Sequence, residues 1–119
     1  MAGYLIGIDI GTQGTKAVLF DTEMNTVASS FEGSRLIQPK PGTVWQEADD
    51  IFGSVARTIA QVVEQSRINP GDVLSIGTDS QMAGIMGIDR DGEASTYYDS
   101  WLDMRCGKYM AVTVIVDYV

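Results

Sequence analysis

The chain contains no histidine and one cysteine, Cys106. Without histidine a Ser-His-Asp triad has no base, and a zinc site loses its commonest nitrogen ligand. One cysteine cannot close an internal disulfide, which fits a reducing, cytoplasmic setting. Basic residues are scarce: 8 Lys and Arg against 16 Asp and Glu leave a net charge of −8. That is the wrong sign for a partner built on a nucleic-acid backbone, although an acidic protein still holds a nucleotide through backbone N–H groups and a bound cation. Long apolar runs are missing as well. Nothing approaches the ~20 residues of a membrane-spanning helix, and the opening MAGYLIGIDIG lacks the basic flank of a secretion signal.

What is present is the composition of an ordinary globular domain, 45% hydrophobic over 119 residues, enough for one hydrophobic core. Residues 4–10, 15–21 and 26–32 read as three strands in quick succession, which predicts antiparallel neighbours. The period changes over residues 48–67. Ile51, Val55, Ile59, Val62 and Val63 recur at helical spacing, with Phe52, Ala56 and Ala60 widening the stripe. Asp49 and Asp50 suit the positive start of that helix and Arg67 its end, before Asn69-Pro70-Gly71. Residues 73–79 read as a short buried strand. Residues 85–88 and 96–102 read as further strands around an Asp91-Gly92 turn. Strands, a helix and a strand predict an α/β layered domain with a mixed sheet. Ile6-Gly7-Ile8-Asp9 is echoed by Ile76-Gly77-Thr78-Asp79, but no glycine follows two residues after the second aspartate.

The densest chemistry lies in GIDIGTQGTKAVLFD, residues 7–21. A strand ending in Asp9 breaks into Gly11-Thr12-Gln13-Gly14-Thr15 and resumes with Lys16. Gly11 and Gly14 allow backbone conformations and close approaches that other residues resist. Successive N–H groups in such a turn form a concave anion site, Thr12, Gln13 and Thr15 add donors, and Lys16 adds a positive charge. Asp9 at the strand end suits Mg²⁺ held through water. Together these are the electrostatic parts of phosphoryl transfer. A bland alternative stands beside this one, a glycine-rich hairpin whose polar side chains satisfy their own turn.

The same stretch resembles the first phosphate motif of the actin-like ATPase superfamily, and more narrowly the opening of the FGGY carbohydrate kinases. Two further segments agree in order and spacing. Gly77-Thr78-Asp79-Ser80-Gln81-Met82-Ala83-Gly84 resembles the family's Gly-x-x-x-Gln-Met-His-Gly motif, and an Asp-x-x-Gly turn follows at Asp89-Arg90-Asp91-Gly92. Trp101-Leu102-Asp103-Met104-Arg105 resembles its Trp-x-Asp-x-Arg element. The resemblance covers about residues 4 to 108.

It implies an α/β, ribonuclease-H-like (actin-like ATPase) domain with a mixed sheet, incomplete in this chain. Asp9 would organise Mg²⁺, and Gly11, Thr12, Gln13, Gly14, Thr15 and Lys16 would contact the phosphates of ATP. Gln81, Met82 and Ala83 would line a sugar pocket, with Trp101, Asp103 and Arg105 at or behind it. For this second group the residues alone leave an alternative open: Met82 as plain core, Trp101 as a packing residue, Asp103 and Arg105 as a structural ion pair. Two departures bear on the substrate. Ala83 replaces the histidine of xylulose-type members, and Met82-Ala83 replace the Arg-Glu of glycerol kinases, which disfavours glycerol. Gly42-Thr43-Val44-Trp45-Gln46-Glu47 only loosely matches the family's Gly-Trp-x-Glu-Gln pattern.

Members of this family are several times longer, with a cleft between two domains. Their general base and adenine pocket would lie outside this chain, so it contains no catalytic base of its own. Residues 1–108 read as the N-terminal part of the first kinase domain. Residues 109–119, with β-branched, nearly uncharged 111–118, read as an atypical tail of a truncated or altered chain, prone to self-association. The expectation is the N-terminal part of a cytoplasmic, ATP- and Mg²⁺-dependent kinase acting on a sugar or sugar alcohol, inactive alone, whose partner is the missing C-terminal part. Two rivals remain: a member of the superfamily that does not act on sugars, and a non-catalytic remnant that binds a nucleotide or a partner protein.

Overall fold

A computed structural model describes residues 3–109. They divide into two compact units: one runs to Arg35 and resumes over Glu47–Met82, and the other comprises Leu36–Gln46 and the segment from Ala83. The tail reading for residues 111–118 lies outside the described residues.

In the first unit, β1 (Tyr4–Ile10), β2 (Gly14–Asp21) and β3 (Thr26–Gly33) form an antiparallel meander, as their short links require. After α1 (Ala48–Ser66), β5 (Val73–Ser80) returns parallel to β1, giving a mixed sheet of order β3-β2-β1-β5. Strand alternation turns Ile6, Ile8, Ala17 and Leu19 to one face, where they pack with Val62 of α1 into the core. Each fully covered Leu or Val there contributes roughly 1.5–3 kcal/mol.

Three readings change. The deepest positions of α1 are Ser54, Thr58 and Val62, spaced by four, while Phe52 is 75% exposed and Ala56 and Ala60 face outward. Their polarity hid Ser54 and Thr58, whose hydroxyls are satisfied locally. Ser54 Oγ donates to the Ile51 carbonyl at 2.7 Å, and Thr58 Oγ1 donates to the Ser54 carbonyl at 2.8 Å. Arg67 ends α1 by adopting the left-handed conformation (φ 56°) just past the last turn, its N–H directed to the carbonyls of Val63 and Glu64. Among the described residues β5 is an exposed edge strand, not a buried one: it is last in the sheet order, and α1 packs on β2 and β3.

The echo acquires a meaning. Ile6, Gly7, Ile8 and Asp9 pair in register with Ile76, Gly77, Thr78 and Asp79 across the parallel β1/β5 ladder. It reflects two strands sharing one pattern side by side.

In the second unit, β4 (Trp45–Gln46) pairs antiparallel with β6 (Tyr98–Asp99), and Asp99 also bridges to Ile85. The strands expected over 85–88 and 96–102 shrink to these short pairings and one bridge, Ile88 with Ala94. The Asp91-Gly92 turn is present, with Gly92 at φ 86°. The Asp89 carboxylate there accepts from the N–H groups of Asp91 and Glu93.

Candidate functional site

The β1/β2 hairpin stays paired to Ile10 and Thr15, and its tip closes with the Gly11 N–H donating to the Gly14 carbonyl at 2.9 Å. Neighbouring segments brace it. The N–H groups of Gln81 and Ser34 donate to the carbonyls of Ile10 and Gln13, each at 2.9 Å, and Thr12 Oγ1 donates to Gln81 Oε1 at 2.9 Å. Gln81, expected in the sugar pocket, thus reaches the tip through its side chain.

The reason for the glycines also shifts. The described glycines with left-handed φ are Gly42 and Gly92, so neither Gly11 nor Gly14 is there for unusual dihedrals. Gly14 is there for proximity: a Cβ would strike the Glu32 carbonyl oxygen and the Phe31 ring. Thr15 turns its side chain away from the tip. The residue is 2% exposed, and its hydroxyl lies 2.6 Å from Ser54 Oγ, beneath α1. Because the Ser54 proton goes to Ile51, Thr15 is the donor of that pair. The Thr15 side chain is thus engaged as a brace between tip and helix.

Asp9 and Lys16 occupy the opposite face of the sheet as cross-strand neighbours, both exposed, with no hydrogen bond or ion pair from either side chain among the described residues. Asp9 Oδ1 lies 3.8 Å from where a Gly11 Cβ would stand, so the carboxylate flanks the tip. With no hydrogen bond to its oxygens among the described residues, this one carboxylate is open to oxygen ligation of a cation through water. Behind the tip, Arg57 grips Glu32 with both Nε and Nη2. This pairing holds the Glu32 carboxyl below its usual range and raises the Arg57 guanidinium.

The second unit contains an open groove of about 410 Å³ lined by Ala83, Ile85, Asp99, Trp101, Asp103 and Arg105 among others. It unites four of the six residues expected at a sugar. Met82, 82% exposed and therefore not core, and Gln81 belong to the first unit. Trp101 is 56% exposed. Asp103 and Arg105 form the ion pair left open above. Arg105 Nε donates to both Asp103 oxygens at 2.9 Å, and Asp103 Oδ2 also accepts the Val44 N–H. The guanidinium beside it holds the Asp103 carboxyl at about 2, against the opposing effect of desolvation.

Sequence reasoning missed Asp99. Arg105 Nη2 donates to Asp99 Oδ1, so the guanidinium is shared by two carboxylates and lies 5.4 Å from the Trp45 ring centre. Trp45 in turn stacks on Tyr97 at 4.9 Å. The visible signal was a second aspartate two positions before Trp101.

Comparison with known proteins places this arrangement in a class. The solved structures it matches have the actin-like ATPase fold of sugar kinases. The gluconate kinase from Lactobacillus acidophilus superposes with a TM-score of 0.86 at 32% identity, over 98% of this chain and 23% of that one. The xylulose kinase from the same organism gives 0.84 at 33%, over 97% and 23%. Among curated proteins, the gluconokinase of Bacillus subtilis (strain 168) is 35% identical over 106 residues, 88% of this chain and 20% of the relative. The profile of the FGGY family of carbohydrate kinases, N-terminal domain, matches residues 4–113. The chain belongs to the FGGY family of carbohydrate kinases. It spans about a fifth of the length of the curated relatives it matches.

Proposed function

We propose that this chain is the N-terminal part of an ATP-dependent carbohydrate kinase that passes the γ-phosphoryl of ATP to a sugar hydroxyl. Residues 1–108 supply the phosphate-side hairpin and part of the sugar side. The observation that carries the reading is the braced β1/β2 tip with Asp9 and Lys16, unpaired among the described residues, beside it, inside the family match. Gly11, Thr12, Gln13 and Gly14 would receive the phosphates with Lys16, and Asp9 would hold Mg²⁺ through water. Bound there, the cation would neutralise phosphate charge. Trp101 offers an aromatic face to the C–H side of a sugar, and the groove's polar groups meet its hydroxyls. The general base and the adenine pocket would come from sequence outside these residues, so this chain alone turns over no ATP. A cytoplasmic setting fits the single exposed Cys106.

Titration of Mg·ATP into the ¹⁵N-labelled chain tests the phosphate side. The expected result is selective shifts at Asp9 and residues 11–16, a Mg²⁺ dependence that Asp9→Asn abolishes, and no ADP release with or without sugar. Shifts confined to other residues, or sugar-dependent ATP consumption by this chain, would overturn the reading.

A further inference from the structure

Resting on the reading of the second unit's groove as a sugar site, we infer that Asp99 is its substrate-contacting carboxylate and that the groove takes a neutral polyhydroxy compound in preference to a sugar acid.

The inference begins with which polar groups are already occupied. Asp103 Oδ1 accepts from the Arg105 N–H and Nε, and Oδ2 accepts from the Val44 N–H and Arg105 Nε. Asp103 is therefore a structural carboxylate, with its side chain only 7% exposed. Asp99 differs. Its Oδ1 holds Arg105, while its Oδ2 takes no hydrogen bond among the described residues, and its side chain is 37% exposed within the groove lining. A carboxylate oxygen with free lone pairs on a partly exposed side chain accepts from O–H donors, and a polyol is a row of such donors.

Charge points the same way. Two carboxylates and one guanidinium line the groove, and the guanidinium is engaged by both acids. The formal sum is −1, with the positive charge spent inside the protein. A ligand carboxylate arriving here would meet a repelling Asp99 and an Arg105 already neutralised. The exposed Trp101 indole and Ile85 suit the C–H surface of an uncharged carbohydrate. Relatives of this chain include kinases named for gluconate, an acid, and for xylulose, a neutral ketose. The groove's charge favours the second kind of substrate.

The test uses two probes that differ in one group. D-Glucitol and D-gluconate share a six-carbon chain and hydroxyl pattern, with a terminal CH₂OH in one and a carboxylate in the other. Each is titrated into the ¹⁵N-labelled 119-residue chain, reading the Trp101 indole N–H and the amides of Asp99 and Arg105. Glucitol is expected to bind about tenfold more tightly than gluconate at low ionic strength, as one unscreened charge a few ångströms away predicts, with the gap narrowing in salt. Asp99→Asn is expected to weaken glucitol binding and bring the two probes close to parity. Asp99→Glu, which keeps the charge, is expected to restore the preference and shows that loss in Asp99→Asn is not misfolding. Equal or tighter binding of gluconate by the natural chain, or a preference untouched by Asp99→Asn, overturns the inference while leaving a sugar site. If neither probe moves these resonances, the sugar-site reading itself falls, and the inference with it.

Discussion

Thr12 and Gln81, 69 residues apart in sequence, are joined by a hydrogen bond from the threonine hydroxyl to the amide oxygen at 2.9 Å. The bond ties the tip of the β1/β2 hairpin to the residue that follows β5. A part-buried side-chain hydrogen bond of this kind contributes about 1 kcal/mol. Thr12→Ala and Gln81→Ala are each expected to lower unfolding free energy in urea by about that amount. The double variant should lose clearly less than the sum, because both changes remove one shared bond. Full additivity would show that the two residues act separately.

Gly14→Ala is expected to be costly. The new methyl meets the Glu32 carbonyl oxygen, a backbone atom that cannot swing aside, as well as the Phe31 ring. Overpacking against backbone costs about 1–3 kcal/mol, and the penalty should be visible as a lower urea midpoint. Phe31→Ala in the same chain should relieve only part of it, since the clash with the carbonyl stays.

Ala83 takes φ 60°, where an L side chain is strained and glycine is not. Ala83→Gly is accordingly expected to raise stability by about 1 kcal/mol, seen as a higher melting temperature. This position replaces the histidine that the family resemblance leads one to expect, and Ala83→His, which keeps a Cβ at the same φ, should not reproduce the gain of Ala83→Gly.

Acid should loosen the second unit. The Asp103 carboxyl titrates at about 2 in the folded chain, against 3.8 ordinarily, chiefly because Arg105 binds its charged form. With the folded value depressed, the unfolded state takes up the proton more readily as pH falls. The stabilisation is complete above about pH 4 and is lost between there and about pH 2. In the first unit, Glu32 is depressed by Arg57 and responds to acid with the same sign. Asp103→Asn should flatten the pH dependence of the urea midpoint in this window. A curve unchanged by that substitution would remove Asp103 from the account.

Much of the first unit was legible because its signals are local. The alternation of Ile6, Ile8, Ala17 and Leu19 and the switch to helical period after Ala48 each speak for their own segment. What escaped was either non-local or chemically disguised. Ser54 and Thr58 look like surface residues until Thr15 and the helix backbone supply partners. The exposure of β5 depends on what lies beside it, which its own apolar run does not encode. The tight tip between β1 and β2 was readable from one stretch. The shared use of Arg105 by Asp99 and Asp103 required β6 and the following turn to bring three side chains together.

The Thr15–Ser54 bond has a mechanical consequence. It anchors the hairpin to a 19-residue helix, while the Ser34 N–H and Gly14 hold the other side of the tip against β3 and the residue following it. A tip held on both sides keeps its shape before any ligand arrives, so on the proposed phosphate role an anion seated there would give up little binding energy to ordering the chain. The hairpin is a mould, and on the proposed kinase reading any motion that accompanies phosphoryl transfer would fall to other parts of the full-length protein.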